Sequence, residues 1–166
     1  MKLSAIIVLL FMSSLNSALA QETYFDKVNE FIKKTISIPE TTNLIIEKFG
    51  QPDSLISQPI TNKYDSTSMD TIYRFYYNGF EFETYCVTKT KKCLLTVFIL
   101  HSNKFRLPFD VKLGMSKTDI ENIFGKPVHE NNEALIYNDD AELTSHLQFF
   151  FSDDNKLMKI VWFQEE

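Results

Sequence analysis

Glycine is scarce in this chain. There are four in 166 residues, with two cysteines, three histidines and one tryptophan. Four scattered glycines do not make a glycine-rich phosphate loop. The histidines, His101, His129 and His146, stand in unrelated contexts. None has a second histidine four residues on or a cysteine nearby, so no metal-ligand pattern is read. No G-x-S-x-G is present, which removes the nucleophile elbow. Carboxylates are plentiful, but Glu81 with Glu83 and Asp139 with Asp140 fall on strand faces and turns, where acids are ordinarily solvated. Asp153-Asp154-Asn155 reads as a turn, since it lacks the ligand spacing of an EF-hand loop. No constellation requires an enzyme, a metal or a cofactor.

Long apolar runs are also lacking. The longest opens the chain, Ala5 to Met12, after the single cation Lys2. It is under half of the ~20 residues that cross a bilayer. Ala18 and Ala20 follow at the small-residue positions of a secretory cleavage site, so residues 1–20 read as a signal peptide and Gln21 as the mature N-terminus. No cysteine follows the small residues to carry a lipid. The expected location is periplasmic or secreted, with no membrane span. Removing 20 of the 166 residues leaves 146, carrying 16 Lys and Arg against 22 Asp and Glu. That acidic balance argues against nucleic acid and anionic membrane surfaces as partners. The mature length suits one domain or two lobes on a shared core, burying roughly 70% of the unfolded surface.

The two cysteines, Cys86 and Cys93, lie within the mature chain. In an oxidising compartment an even count points to a disulfide. Their C-x6-C spacing fits no standard zinc pattern, and no second pair exists to complete a site. Closing so short a loop is worth about 2.5 kcal/mol in the chain-entropy model.

One pattern occurs twice. Thr41 to Pro52 reads TTNLIIEKFGQP, and Ser116 to Pro127 reads SKTDIENIFGKP. Ile45, Phe49, Gly50 and Pro52 match Ile120, Phe124, Gly125 and Pro127 at an offset of 75. Each copy begins on a hydroxyl fit to cap a helix, runs two turns, and stops at Gly with Pro two residues on. A further helix is read from Tyr24 to Ile36, where Phe25, Val28, Phe31, Ile32 and Ile36 share one face.

β-rich sequence follows each copy. The strands read as Asp70–Tyr77, Phe80–Thr88 and Cys93–His101, then Ala134–Asn138, Ser145–Phe151 and Lys156–Phe163. Asn78-Gly79 is a hairpin turn. It sets Tyr77 against Phe80, Phe75 against Phe82 and Arg74 against Glu83. Opposing Cys86 to Cys93 extends this register to Phe82 with Val97 and Phe80 with Ile99. The expected core face is then Phe75, Tyr77, Phe80, Phe82, Val97 and Ile99. The other face carries Ile72, Arg74, Tyr76, Glu81, Glu83, Tyr85, Thr96 and Phe98. In the second copy Leu147, Phe149, Phe151, Met158, Ile160 and Trp162 form the core face, opposite His146, Gln148, Phe150, Leu157, Lys159 and Val161. The expected fold class is α+β: a tandem repeat of short helices packed on one face of an antiparallel β-sheet, with repeats at 21–104 and 105–166.

Val111 to Pro127, VKLGMSKTDIENIFGKP, resembles the motif of a bacterial envelope superfamily: a strand-like lead, Gly, a hydroxyl residue, a short amphipathic helix, then Gly-x-Pro before a β-meander. Its members include outer-membrane assembly lipoproteins of the SmpA/OmlA type and the β-lactamase inhibitory protein with its relatives. The resemblance implies the tandem architecture and a binding role for the aromatic sheet face, placing Tyr76, Tyr85, Phe98 and Phe150 at the contact. This chain departs from the lipoproteins in having Gln21 where they carry a lipid-modified cysteine. It departs from the inhibitors in having one cystine rather than one per repeat.

The functional expectation is an exported protein-binding module. It would inhibit or neutralise an extracytoplasmic enzyme or toxin by occluding its active site, as an inhibitor or immunity protein. The partner is a wall hydrolase, a toxin or another envelope protein, met by Arg74, Tyr76, Glu81, Tyr85, Phe98 and Phe150. The alternative is a non-enzymatic accessory of envelope or outer-membrane assembly.

Overall fold

A computed structural model describes residues 26–35, 37–138 and 145–164. The segment expected to be a signal peptide, Tyr24, Phe25 and Ile36 of the expected first helix, and the Asp139-Asp140 pair lie outside these residues. Helices form at residues 26–35 (α1), Thr42–Phe49 (α2) and Lys117–Phe124 (α3). The strands are β1 (Ser54–Thr61), β2 (Met69–Tyr77), β3 (Phe80–Val87), β4 (Lys92–Leu100), β5 (His129–Glu130), β6 (Ala134–Asn138), β7 (Ser145–Phe151) and β8 (Leu157–Gln164).

The capping signals act as chemistry requires. Thr41 Oγ1 accepts from the Leu44 amide, and Ser116 forms a reciprocal capping box with Asp119. Gly50 and Gly125 end their helices at φ 83° and 75°, a region open to glycine at little cost. Each of these glycines is also tied to the sheet. Tyr77 on β2 donates its hydroxyl to the Gly50 carbonyl at 3.0 Å, and Tyr137 on β6 does the same to Gly125 at 2.9 Å. Burial pushes both phenol pKa values up.

The strands run antiparallel in the single order β1-β2-β3-β4-β8-β7-β6-β5. This corrects the expected fold class. The molecule is mostly one eight-stranded antiparallel sheet with three short helices among the described residues, and not a tandem repeat of helices packed on a sheet. Two observations account for the difference. β4 pairs directly with β8 through Val97↔Phe163, Phe98↔Trp162, Ile99↔Val161 and Leu100↔Ile160, so the two meanders fuse at their last strands. α1, the first of the described helices, packs against residues of the second meander. The Phe31 ring lies 5.3 Å from Phe124 and 6.0 Å from Phe149, and Lys27 Nζ donates to the Ile123 carbonyl at 3.1 Å. α2 covers the first meander, with Phe49 5.7 and 5.8 Å from Phe80 and Phe82. The buried side chains form one cluster across both halves.

The β2–β3 register is the one read from the hairpin: Tyr77↔Phe80, Phe75↔Phe82 and Arg74↔Glu83. Cys86 and Cys93 oppose each other and form a disulfide. Between them and the turn the register slips by one. Glu83 pairs with Val97 while Thr84 pairs with Leu95, leaving Thr96 as a β-bulge. Side chains alternate strictly along a strand, so one extra residue exchanges the faces beyond it. Phe98 and Leu100 therefore turn to the core, opposite Phe82 and Phe80, and Val97 and Ile99 turn out. A second bulge at Met158 does the same on β8. Leu157 is 2% exposed and Met158 53%, the reverse of the expected placement. Two strands went unread. β1 is exposed along nearly its whole length and interrupted by Pro59, so its sequence lacks alternation. β5 has two residues.

The bulged register makes a direct prediction. Phe98→Ala should cost about 3–5 kcal/mol in urea unfolding, as for a buried aromatic, and Ile99→Ala about 1 kcal/mol. A larger loss at Ile99 would restore the unbulged pairing.

Candidate protein-binding face

The helices take one side of the sheet. Among the described residues no helix packs on the other side, and two rows of side chains cross it. One row runs Tyr76, Glu81, Ile99, Val161, Gln148 and Ile136; the next runs Arg74, Glu83, Val97, Phe163, His146 and Asn138. Each row spans six strands, or about 24 Å at the usual strand spacing. Leu94, 60% exposed, lies beside Tyr85.

The first meander's part of this face is held by a three-strand clamp. Arg74 Nε on β2 pairs with Glu83 Oε2 on β3 at 2.6 Å. Glu83 Oε1 accepts from Thr96 Oγ1 on β4 at 3.0 Å, and the Glu83 carbonyl lies 3.3 Å from the same hydroxyl. The clamp therefore grips the bulge residue itself. Glu83 holds the Arg74 guanidinium pKa above its ordinary value. Around the clamp lies a shallow depression of about 220 Å³, bordered by Tyr76, Glu81, Val97 and Ile99.

At the far end of β2, Asp70 is 1% exposed and fully engaged. It accepts from the Tyr85 hydroxyl, from Asn62 Nδ2 at 2.5 Å and from the Thr88 amide at 2.9 Å. The Tyr85 hydroxyl, then the Thr88 amide, hold the Asp70 pKa below the ordinary aspartate value. Tyr85 is thereby fixed with its ring on the open face. In the second meander, Lys159 Nζ lies 4.4 Å from the Phe150 ring centre, and His146 stacks on Phe163 at 4.8 Å.

Of the residues expected at the contact, Arg74, Tyr76, Glu81 and Tyr85 come together on β2 and β3. Phe150 shares their face but stands on β7, across the seam. Phe98 does not join them. It is 7% exposed in the core, its ring 6.4 Å from Phe80, because the Thr96 bulge turned it inward. Val97, Ile99 and Phe163 take its place on the open face. Nothing in the sequence pattern marks a bulge at Thr96, so Val97 and Ile99 are not legible as open-face residues, whereas Phe163 keeps the face that its alternation with Val161 gives it.

A second concavity of about 220 Å³ lies on the helix side, among Lys34, Lys48, Phe105 and Arg106. Its cations are engaged: Lys34 with Glu30, Lys48 with the Ser37 carbonyl and Arg106 with Asp110. Among the described residues no three His, Cys, Asp or Glu side chains converge as metal ligands, and no helix is long and apolar enough to cross a membrane. No family model, curated protein or solved structure matches this chain.

Because the folded-state pKa of Asp70 lies below its unfolded value, its contribution is complete above the ordinary aspartate range and is lost as pH falls through that lower value. Urea midpoints measured from about pH 5 to about pH 2 should fall less steeply in Asp70→Asn than in the wild type. Parallel curves would remove Asp70 from the acid response.

Proposed function

We propose that this protein is an exported binding module that inhibits or neutralises an extracytoplasmic enzyme or toxin by covering its active site with the helix-free sheet face. One observation carries the reading. The face joins aromatic and aliphatic side chains from six strands into one surface, with Arg74 and Glu83 clamped in place. Preorganised aromatic and arginine side chains on a rigid scaffold are what a protein–protein contact uses for affinity. The disulfide fits a chain that works outside the cytoplasm. Binding by occlusion needs no catalytic group on this side of the contact.

The experiment is affinity capture of wall hydrolases and delivered toxins on the oxidised chain from Gln21 to Glu166, followed by assay of the captured enzyme. The expected result is stoichiometric loss of the partner's activity. Replacing Tyr76 and Phe150 together by Ala should weaken the complex by at least ~2 kcal/mol, roughly 30-fold, with the urea midpoint little changed. An unchanged affinity in that variant, or a captured enzyme that keeps its activity, would sink the proposal.

A further inference from the structure

The acids of the open face are not alike. Glu83 is committed to Arg74 and Thr96, and Asp70 to Tyr85, Asn62 and Thr88. Glu81 has no hydrogen-bond or ion-pair partner among the described residues, although it is partly buried. It sits between its register partners, Tyr76 on β2 and Ile99 on β4. Arg74, the nearest cation along the face, is two pairs further along the ladder and is held by Glu83. The depression of about 220 Å³ beside Glu81 thus has an aromatic wall, an aliphatic wall and an unpaired carboxylate. Its charges are one guanidinium and two carboxylates, which leave one negative charge over.

We infer that this depression is a socket for an arginine side chain presented by the partner, with Glu81 as its counter-ion. The inference rests on reading this face as a docking surface. A guanidinium is the fitting cation. Its plane stacks on an aromatic ring such as Tyr76, and its fork meets a carboxylate with two donors. Its three methylenes lie against Ile99 and Val97 while the charge stays at the Glu81 end. The volume is below the ~300–1,000 Å³ of a site for a drug-sized ligand, and so it accommodates one side chain. Arg74 cannot fill the role from within, because withdrawing it would strip Glu83 and free the bulge.

The socket is testable without the partner. N-acetyl-arginine methylamide is titrated into the 15N-labelled oxidised chain, with the citrulline analogue, a neutral isostere, as control. Saturable shifts at the Tyr76, Glu81 and Ile99 amides are expected for the arginine compound at millimolar concentration. They should be at least about threefold weaker in Glu81→Gln, as loss of a partly exposed ion pair predicts. An equal response to citrulline, an unchanged response in Glu81→Gln, or shifts centred elsewhere would overturn the inference. The titration and the capture experiment fail separately. Capture with no arginine response removes the socket alone, and an arginine response with no captured enzyme overturns the docking reading and with it the partner's arginine, leaving only a Glu81 site for a guanidinium.

Discussion

The β-bulge at Thr96, whose hydroxyl Glu83 holds, decides what this protein presents to solvent. Without the bulge that it pins, β4 would send Val97 and Ile99 to the core and Phe98 and Leu100 outward. With it, Phe98 and Leu100 meet the core opposite Trp162 and Ile160, and Val97 and Ile99 line the open face opposite Phe163 and Val161. Arg74 closes the clamp from β2 by neutralising the carboxylate that holds Thr96. One ion pair and one hydroxyl bond thus meet at the bulge that sets the alternation of a strand at the middle of the sheet.

The consequence spreads because β4 is the seam. Only four residue pairs join it to β8, yet they turn two four-stranded meanders into one sheet and one core. α1 strengthens the union by lying against Phe124 and Phe149, so the chain's first described helix covers its last strands. On the other side two of those pairs, Val97↔Phe163 and Ile99↔Val161, carry the open face across the seam. Tyr76 and Phe150 stand on strands contributed by different halves, and a partner spanning both gains contacts that neither half offers alone. The tyrosine hydroxyls on Gly50 and Gly125 fix two of the short helices to the sheet at their C-terminal ends.

Local signals in the sequence were legible wherever chemistry is local. The hydroxyl caps, the Gly-x-Pro stops, the Asn78-Gly79 turn, the Arg74–Glu83 pairing and the disulfide follow from residues near one another in the chain. Beyond the bulges the reading failed. The identities of Thr96 and Met158 do not announce an extra residue; the first bulge exchanges the faces of Val97 through Leu100, and the second exchanges Leu157 with Met158. That is why Phe98 was expected at the contact and Ile99 in the core. The overall architecture failed for a related reason. The 75-residue repeat is genuine as sequence, but nothing in it states that β4 finds β8 or that α1 crosses to the second meander. Those are long-range choices made by the shared apolar core. β1 escaped notice because an exposed edge strand has no buried face to impose alternation.

The central claim is that the helix-free face is open in the free protein and acts as one surface across the β4–β8 seam. Hydroxyl-radical footprinting of the oxidised chain, alone and with its captured partner, tests it most directly. The account predicts that Tyr76, Phe150 and Phe163 are modified in the free protein while Phe98 and Phe149 are protected, and that the first three become protected together on binding. Protection of Tyr76 and Phe163 already in the free protein, or a footprint confined to the helix side, would contradict it.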